Sequence, residues 1–589
     1  LVPGAVDRPV KTTRYLGSYS LDIKLPVDGL KFRSNLGLDA RTVQDYEFWS
    51  AKTSNRGMGT SYAKNAVDKY TMFTLENMLF YDKTFNDKHT LGVTLLQSIQ
   101  EDKRESVNVA MENLPADNLK YYDLGSGLVT NTIGSSMIKW NMASFMGRIN
   151  YNYLGRYLLT VSARYDGSSR LADGHKWVLF PSAALAWRIN EESFMSSTSG
   201  WLDNLKLRLG FGKTGNSAVD PYQTKGTLSL IRYPFDNGGT PTIGYAPNAM
   251  ANSLLTWETT DQWNLGIDFG VLRGRINGTI DLYMQNTHDL LLKRQLPVVS
   301  GFPDVLSNVG KTRNKGIEVS INSMNINSKD FQWTTDLMLS SNKEEIVELY
   351  NGKNDDIGSK WFIGQPVNVH YDYRKVGIWQ NTESDLAEMA KFAANGTEFA
   401  PGDIKIQDVN GDYKITDADK QILGNPRPKL IASMVNTFNY KGFDLSVFLY
   451  ASFGAMLYND IYAVEHCGRN GGVKVDYWTP NNPTNAYPRP SIDEERPIYI
   501  TSTYYEKADF LRVKTMTLGY TLPKTLTNKF LVEKLRVYFT AQNPFIFTNY
   551  TGIDPEAAKV NSAGNPETNG SGFGTPSVSS WIFVINLTL

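Results

Sequence analysis

Cysteine is nearly absent from this chain of 589 residues: Cys467 stands alone. No intrachain disulfide can form and no thiolate zinc site can be built. Histidine is scarce as well. His89, His175, His288, His370 and His466 are scattered, with no pair at metal-ligand spacing, which removes a histidine-based zinc site. An excess of either charge is missing, because 60 Lys+Arg balance 60 Asp+Glu to a formal net charge of +0. No basic surface points to nucleic acid and no acidic tail to a basic partner. No apolar run is long enough for a transmembrane helix, and residues 1–10 have neither the charged nor the apolar region of a signal peptide. No linker rich in Pro, Gly or Ser and no shift in composition divides the chain, so one large architecture is expected.

What is present is alternation. In 443–457, Phe443, Leu445, Val447, Leu449, Ala451, Phe453, Ala455 and Leu457 share one face, while Asp444, Ser446, Tyr450 and Ser452 share the other. One side suits lipid or a core and the other suits water. The same reading holds in 263–284, where Trp263, Leu265, Ile267 and Phe269 oppose Gln262, Asn264 and Asp268. With 12% aromatic residues, 32 of them Tyr, the composition suits β-strands and interfacial girdles.

About seventeen strands are predicted, at 18–25, 30–42, 66–85, 89–114, 140–153, 157–166, 176–189, 204–213, 256–269, 275–292, 314–324, 332–349, 429–440, 443–457, 510–522, 534–547 and 580–589. Short links at 26–29, 86–88, 154–156, 271–274, 326–331 and 441–442 alternate with long ones at 43–65, 115–139, 214–255, 293–313, 350–428, 458–509 and 548–579. Two links, 190–203 and 523–533, are longer than ideal turns but fall on the short side. Short turns on one side and long loops on the other are the signature of an outer-membrane barrel. The fold class is therefore all-β, a transmembrane antiparallel β-barrel. Its export signal is expected upstream of residue 1 or already removed. After Val513 the alternation shifts phase, which predicts a β-bulge near Lys514.

Two motifs imitate ligand chemistry. Gly210-Phe-Gly212-Lys-Thr-Gly215 has the spacing of a dinucleotide fingerprint, yet Asn216–Lys225 carries Pro221 and no helical period. There is no helix N-terminus to hold a pyrophosphate, so a strand tip opening into a loop is expected. The second motif supplies oxygen ligands at EF-hand-like spacing from Asp408, Asn410, Asp412 and Asp419, with the Lys414 backbone carbonyl at the seventh position. It departs from that loop at Tyr413, where the sharp turn prefers Gly, and at Asp419, where a bidentate Glu is usual. The expectations are a structural Ca2+ or a metal-free acidic turn braced by its own hydrogen bonds. Loop aromatics Trp361, Tyr371, Trp379, Tyr477 and Trp478 can stack on a sugar ring or pack the loops together. No catalytic constellation stands out; His466 beside Cys467 has no geometry for a nucleophile and base.

A set of strings resembles a known family. These are Gly147-Arg-Ile-Asn-Tyr-Asn-Tyr153, Arg156-Tyr-Leu-Leu159, Arg164-Tyr-Asp-Gly-Ser-Ser-Arg170, Phe180-Pro-Ser-Ala-Ala-Leu-Ala-Trp-Arg188 and residues 205–216. Asn308-Val-Gly310, Asn314-Lys-Gly-Ile-Glu318, Pro401-Gly-Asp403, Gly424-Asn-Pro426, Phe510-Leu-Arg-Val513 and Leu518-Gly-Tyr520 follow. In this order they resemble the C-terminal barrel portion of SusC/RagA-type TonB-dependent transporters of Bacteroidetes outer membranes. The resemblance implies a barrel of about 22 strands, of which about seventeen lie here. It also implies a plug, a sandwich domain and a Ton box that are not visible in residues 1–589. It implies import of an oligosaccharide or oligopeptide beneath a SusD-like surface lipoprotein, driven by TonB–ExbB–ExbD through the plug, with no enzymatic chemistry and no required cofactor. The terminal strand departs from the usual barrel ending in closing on Leu589 in place of Phe. The rival readings are a passive porin and a secreted β-rich enzyme or glycan-binding protein.

Overall fold

The computed structural model describes residues 4–57, 59–233, 242–459, 474–490, 497–530, 532–556 and 577–588. The chain divides into two compact units: residues 1–188, 208–263 and 286–311, and residues 189–207, 264–285 and 312–589. Antiparallel strands dominate both. Each of the seventeen expected strands has an observed counterpart, and the two-residue strand Val6–Asp7 is added to them.

In the first unit, Val10–Lys24, Leu30–Trp49, Tyr62–Phe85, His89–Glu112, Val129–Tyr153, Tyr157–Ser168 and Trp177–Arg188 pair consecutively. Their short links are tight because the backbone turns left-handed where the sequence permits it. Asn86 and Asp87 have φ of 49° and 53°, and Leu154 and Gly155 have 56° and 69°, the sign that twist-matched two-residue hairpins require. The register separates the two faces. Phe32, Leu36 and Leu38 align with Leu79, Leu75 and Phe73, and these in turn with Leu95, Ile99 and Glu101. Arg33, Asn35 and Asp39 lie on the opposite face.

The second unit repeats the plan. Phe331–Glu348, Leu430–Tyr440, Phe443–Phe453, Phe510–Thr521, Lys534–Thr548 and Ser580–Thr588 pair consecutively. Trp581, Phe583, Ile585 and Leu587 are all more than half exposed on one face. Aromatics gather beside the short link at Lys441–Gly442: Phe443 lies 4.4 Å from Tyr520, and Phe331 lies 6.4 Å from Tyr440, between ring centroids. One polar rung interrupts each apolar face and satisfies itself. In the first unit Ser34 donates to Asn77 and Asn77 to Gln97, both at 2.8 Å. In the second, Asn436 accepts from Trp333 at 3.0 Å and from Thr335 at 2.7 Å. Such cross-strand bonding is what a polar side chain needs on a surface without water.

Three expectations are corrected. The strands run further into the long connections than their apolar pattern: Leu30–Trp49, Tyr62–Phe85 and Val129–Tyr153 take up much of the 43–65 and 115–139 loops. Backbone pairing satisfies itself whatever the side chains are, so pairing outlasts the alternation. The long loops also carry structure of their own, including the hairpins Thr227–Tyr233 with Thr242–Ala249 and Leu291–Gln295 with Asp304–Asn308 and the helix Glu383–Ala394. Finally, the strand expected to reach Leu457 stops at Phe453. Gly454 turns with φ of 87°, and Met456–Tyr458 pairs separately with Tyr505–Lys507. The bulge is where the phase shift puts it: Val513 and Thr515 pair with the adjacent Leu449 and Phe448, leaving Lys514 as the extra residue.

Candidate functional site

The polar faces hold ordered charge. In the first unit the Arg14 guanidinium grips Asp39 through two bonds of 2.8 and 2.6 Å, and Arg33 grips Asp22 through bonds of 2.7 and 3.0 Å. In the second, Arg536 donates to Asp444 at 3.1 and 2.5 Å. Gly519 sits beside that pair, and a Cβ there would lie 2.6 Å from an Asp444 oxygen. Paired guanidinium forks of this kind make a hydrophilic wall whose side chains are held in place.

The second unit also builds a loop cluster from residues 350–428 and 474–509. Ile378, Ile404, Ile406, Trp478, Tyr487, Ile500 and Tyr504 form its core. The helix Glu383–Ala394 starts at the Thr382 cap, which accepts from the Asp385 N–H, and buries Met389 and Phe392 against Trp379. The cap, the acidic first turn and the Leu386-Met389-Phe392 spacing were legible signals for this helix. Tyr371, Tyr458, Tyr505, Asp372, Lys420 and Thr501 line a cavity of about 460 Å³ beside the cluster. Tyr505 donates to Asp372 at 3.2 Å, and burial with that carboxylate beside it pushes the phenol pKa up. His370 is buried, its Nε2 bonded to the Met456 carbonyl at 2.7 Å. Burial pushes its pKa down, so the ring is neutral. Lys375 donates to the Ala486 carbonyl at 2.7 Å, and burial lowers it to about 8.

Of the loop aromatics, Trp379 is 1% and Trp478 6% exposed, so these two pack the loops. Tyr371 packs on Phe362 at 4.8 Å and also faces the cavity, while Tyr477 is exposed. His466 and Cys467 lie outside the described residues. The remaining histidines stay apart: His89 bonds Tyr151 at 2.7 Å and His288 approaches Asp289 at 2.9 Å.

The acidic segment is a tight turn bonded to its own backbone. Asp408 accepts from the Gly411 and Tyr413 N–H groups at 2.7 and 2.8 Å, and Asp412 accepts from Lys414 at 2.8 Å. Asn410 donates to Asp412 at 3.0 Å. Asp419 is fully buried and accepts from the Val409 and Thr416 N–H groups at 2.9 and 2.8 Å. Tyr413 adopts φ of 58°, the conformation that favours Gly, and its ring packs on Phe392 at 5.5 Å. Left-handed strain of about 1–2 kcal/mol is thus offset by burying an aromatic ring, a gain of similar size. Among the described residues, no group of three or more His, Cys, Asp or Glu side chains stands placed to hold a metal ion.

Gly210, Gly212 and Gly215 lie on the strand Leu202–Asn216, and no helix of the dinucleotide-binding kind follows it among the described residues. Only Gly215 is sterically required. A Cβ there would stand 2.1 Å from the Phe180 ring and 2.9 Å from Trp257, whereas Gly210 has open space. The motif is therefore a seat for an aromatic ring in the cluster of Leu171, Phe180, Leu255 and Trp257.

One ion cluster had no signal in the alternation. Arg512, 4% exposed at its side chain, meets Asp554 at 2.5 Å and approaches Glu556 at 2.5 Å, while Lys514 reaches Glu556 at 2.6 Å. Arg512 and Lys514, two residues apart on one strand, both reach carboxylates of that loop. Asp554 also accepts from the Glu556 and Ser577 N–H groups, both at 2.9 Å. Burial alone would raise its pKa, but those bonds and Arg512 outweigh burial and hold it below the ordinary carboxylate value.

Comparison with known proteins agrees with these two-faced strands. The family model described as TonB dependent receptor-like, beta-barrel, matches residues 4–544. TonB-dependent receptor P3 of Formosa agariphila is 32% identical over 547 residues, 90% of this chain and 53% of that protein. TonB-dependent receptor SusC of Bacteroides thetaiotaomicron is 35% identical over 434 residues, 70% of this chain and 41% of that protein. The chain thus spans about half the length of the curated relatives it matches. The solved RagAB peptide transporter superposes with a TM-score of 0.81 at 22% identity, over 98% of this chain and 62% of that one. No helix among the described residues is long and apolar enough to cross a membrane, a test that does not bear on strands. The proteins of this family are outer-membrane transporters, not enzymes, and the chain belongs to it as a TonB-dependent receptor β-barrel of the SusC/RagA type.

Proposed function

We propose that this chain forms the wall and outer vestibule of a TonB-dependent importer that carries oligosaccharides or oligopeptides across the Gram-negative outer membrane, beneath a SusD-like lipoprotein lid. The observation that carries this reading is the two-faced strand. Leu95 and Phe145 in the first unit, and Trp581 and Phe583 in the second, are exposed on one face of their strands, while the opposite face in each unit carries ion pairs. An exposed apolar surface of this extent suits lipid, and in water it would drive association. The strands Tyr62–Phe85, His89–Glu112 and Val129–Tyr153 have 24, 24 and 25 residues, where roughly 9–11 cross a bilayer. Their surplus lies away from the short turn, and in His89–Glu112 it is charged on both faces, at Glu101, Asp102, Lys103, Arg104 and Glu105. A rim standing above the lipid accounts for this.

In this reading the plug on which TonB–ExbB–ExbD acts belongs to a longer polypeptide, and the barrel performs no covalent chemistry. Deleting TonB in the bacterium should reduce uptake of the transported oligomer to background. A passive porin would keep its flux, so uptake that survives TonB deletion overturns the proposal.

Calcium at Asp408, Asn410, Asp412, Lys414 and Asp419 is proposed as a structural ion stiffening the loop, supported by the oxygen spacing and the left-handed turn at Tyr413. Millimolar calcium should slow proteolysis within 404–424 several-fold, and chelator should reverse it. Equal cleavage with and without calcium would leave the metal-free turn as the answer.

A further inference from the structure

Strand register brings three arginines and a tyrosine into one row on the polar face of the first unit. Arg14 pairs with Arg41, Arg41 with Tyr70, and Tyr70 with Arg104. Because neighbouring strands stand about 4.8 Å apart, Arg41 and Arg104 flank the Tyr70 ring at one level. Their guanidinium carbons lie 4.3 and 4.9 Å from the ring centroid. On the opposite face the same level is where the apolar band ends, at Thr71 and Lys103.

The charges do not cancel. Arg14 is held by Asp39 at 2.8 and 2.6 Å, and Arg104 by Asp68 at 3.3 Å. Asp102, one rung closer to the turn, acts on Arg170, whose guanidinium covers Trp140 at 3.9 Å. Further out, Asp45 is taken by Lys64 at 2.6 Å. Among the described residues Arg41 has no carboxylate bonded to it; Asp39, whose oxygens are taken by Arg14, acts on it only through space. Arg41 is exposed, and the Tyr70 ring holds it from one side, which fixes the plane of its fork without using its N–H donors.

We propose that Arg41, positioned on Tyr70 with Arg104 beyond it, is a docking point for a carboxylate carried by the transported oligomer. A planar fork with free donors is matched by a two-oxygen anion, and a carboxylate can accept two parallel N–H bonds from it. The carboxylate can belong to a uronic acid sugar or to an acidic peptide side chain. The proposal rests on the importer reading above, since it assumes that the polar face meets the cargo.

The test uses the full-length protein in detergent at low salt, titrated calorimetrically with four probes: a uronic acid tetrasaccharide, its neutral hexose counterpart, a glutamate-containing pentapeptide and its glutamine counterpart. The wild type should bind one acidic probe at least tenfold more tightly than its neutral partner, and which pair shows the preference identifies the source. Arg41→Gln should reduce that preference to less than threefold by weakening the hold on the acidic probe. Arg41→Lys, which keeps the charge and loses the fork, should keep only part of it. Equal binding of acidic and neutral probes overturns the proposal, as does an acidic preference that survives in Arg41→Gln. Neither outcome depends on TonB, so failure here is separate from TonB-independent uptake, which would overturn the importer reading.

Discussion

Replacing Asp554 with Asn should lower the stability of the folded barrel by about 3–5 kcal/mol, the usual cost of leaving a buried charge without its partner. Arg512 and Asp554 are 4% and 5% exposed at their side chains and meet at 2.5 Å. The Glu556 oxygen near Arg512 Nε is an ion contact and not an aligned hydrogen bond, so Glu556 cannot fully replace the lost carboxylate. The urea midpoint of the purified protein and the temperature at which its compact gel band is lost should both fall. Arg512→Met with Asp554→Leu should recover part of the loss, because removing both charges also removes their desolvation, while the Glu556 and Ser577 N–H groups lose their acceptor. If Asp554→Asn unfolds like the wild type, the pair contributes nothing. The pH dependence has a definite sign. The folded-state pKa of Asp554 lies below its ordinary value, so its contribution is complete above pH of about 4 and fades as pH falls through the lowered value. That step should be absent from the Asn variant.

Gly29→Ala should be the most damaging of the turn substitutions. Gly29 has φ of 82°, and a Cβ there would lie 2.1 Å from the Asp82 carbonyl oxygen. That oxygen is backbone in the paired strand and cannot swing aside. The Gly29 carbonyl meanwhile accepts from the Asp82 N–H at 3.0 Å, so relieving the clash also stretches a ladder bond. The left-handed conformation costs about 1–2 kcal/mol for a residue with a Cβ, and forcing an atom into filled space adds about 1–3 kcal/mol. Gly274 is the control. Its φ is 73°, with nothing within 4 Å of the added carbon, so Gly274→Ala should cost only the conformational part. Folded yield in the outer membrane and urea midpoints of the two variants should separate them, and equal effects would show that crowding at Asp82 is unimportant.

The acidic loop shows how far spacing can be read. The spacing of Asp408, Asn410, Asp412 and Asp419 was visible, as was the departure at Tyr413. That Tyr413 nevertheless takes the turn's left-handed conformation, at φ of 58°, depends on the helix Glu383–Ala394 arriving beneath its ring. Likewise, the absence of a helical period after Gly215 was enough to set aside a nucleotide site. The seat for the Phe180 ring was not legible, because it is formed by a residue on a different strand. The surplus length of Val129–Tyr153 was missed for a related reason: its outer half mixes Val129, Ile133 and Met137 with Thr130, Asn131, Thr132, Ser135 and Ser136 and has no sustained apolar face, and pairing with His89–Glu112 keeps it extended.

By itself the sequence determined the strands, which side of each is apolar, where the tight turns fall and where the bulge lies. These follow from period-two alternation and from turn residues that accept left-handed backbone, both properties of a few consecutive residues. Only the tertiary structure decided that Arg41, Tyr70 and Arg104 share a row, that Arg512 meets Asp554 across 42 positions of chain, and that Gly29 faces the Asp82 carbonyl. Each depends on register or on the path of a loop. A one-residue slip in pairing turns a strand's side chains to the opposite face, so no local pattern names the residue on the neighbouring strand.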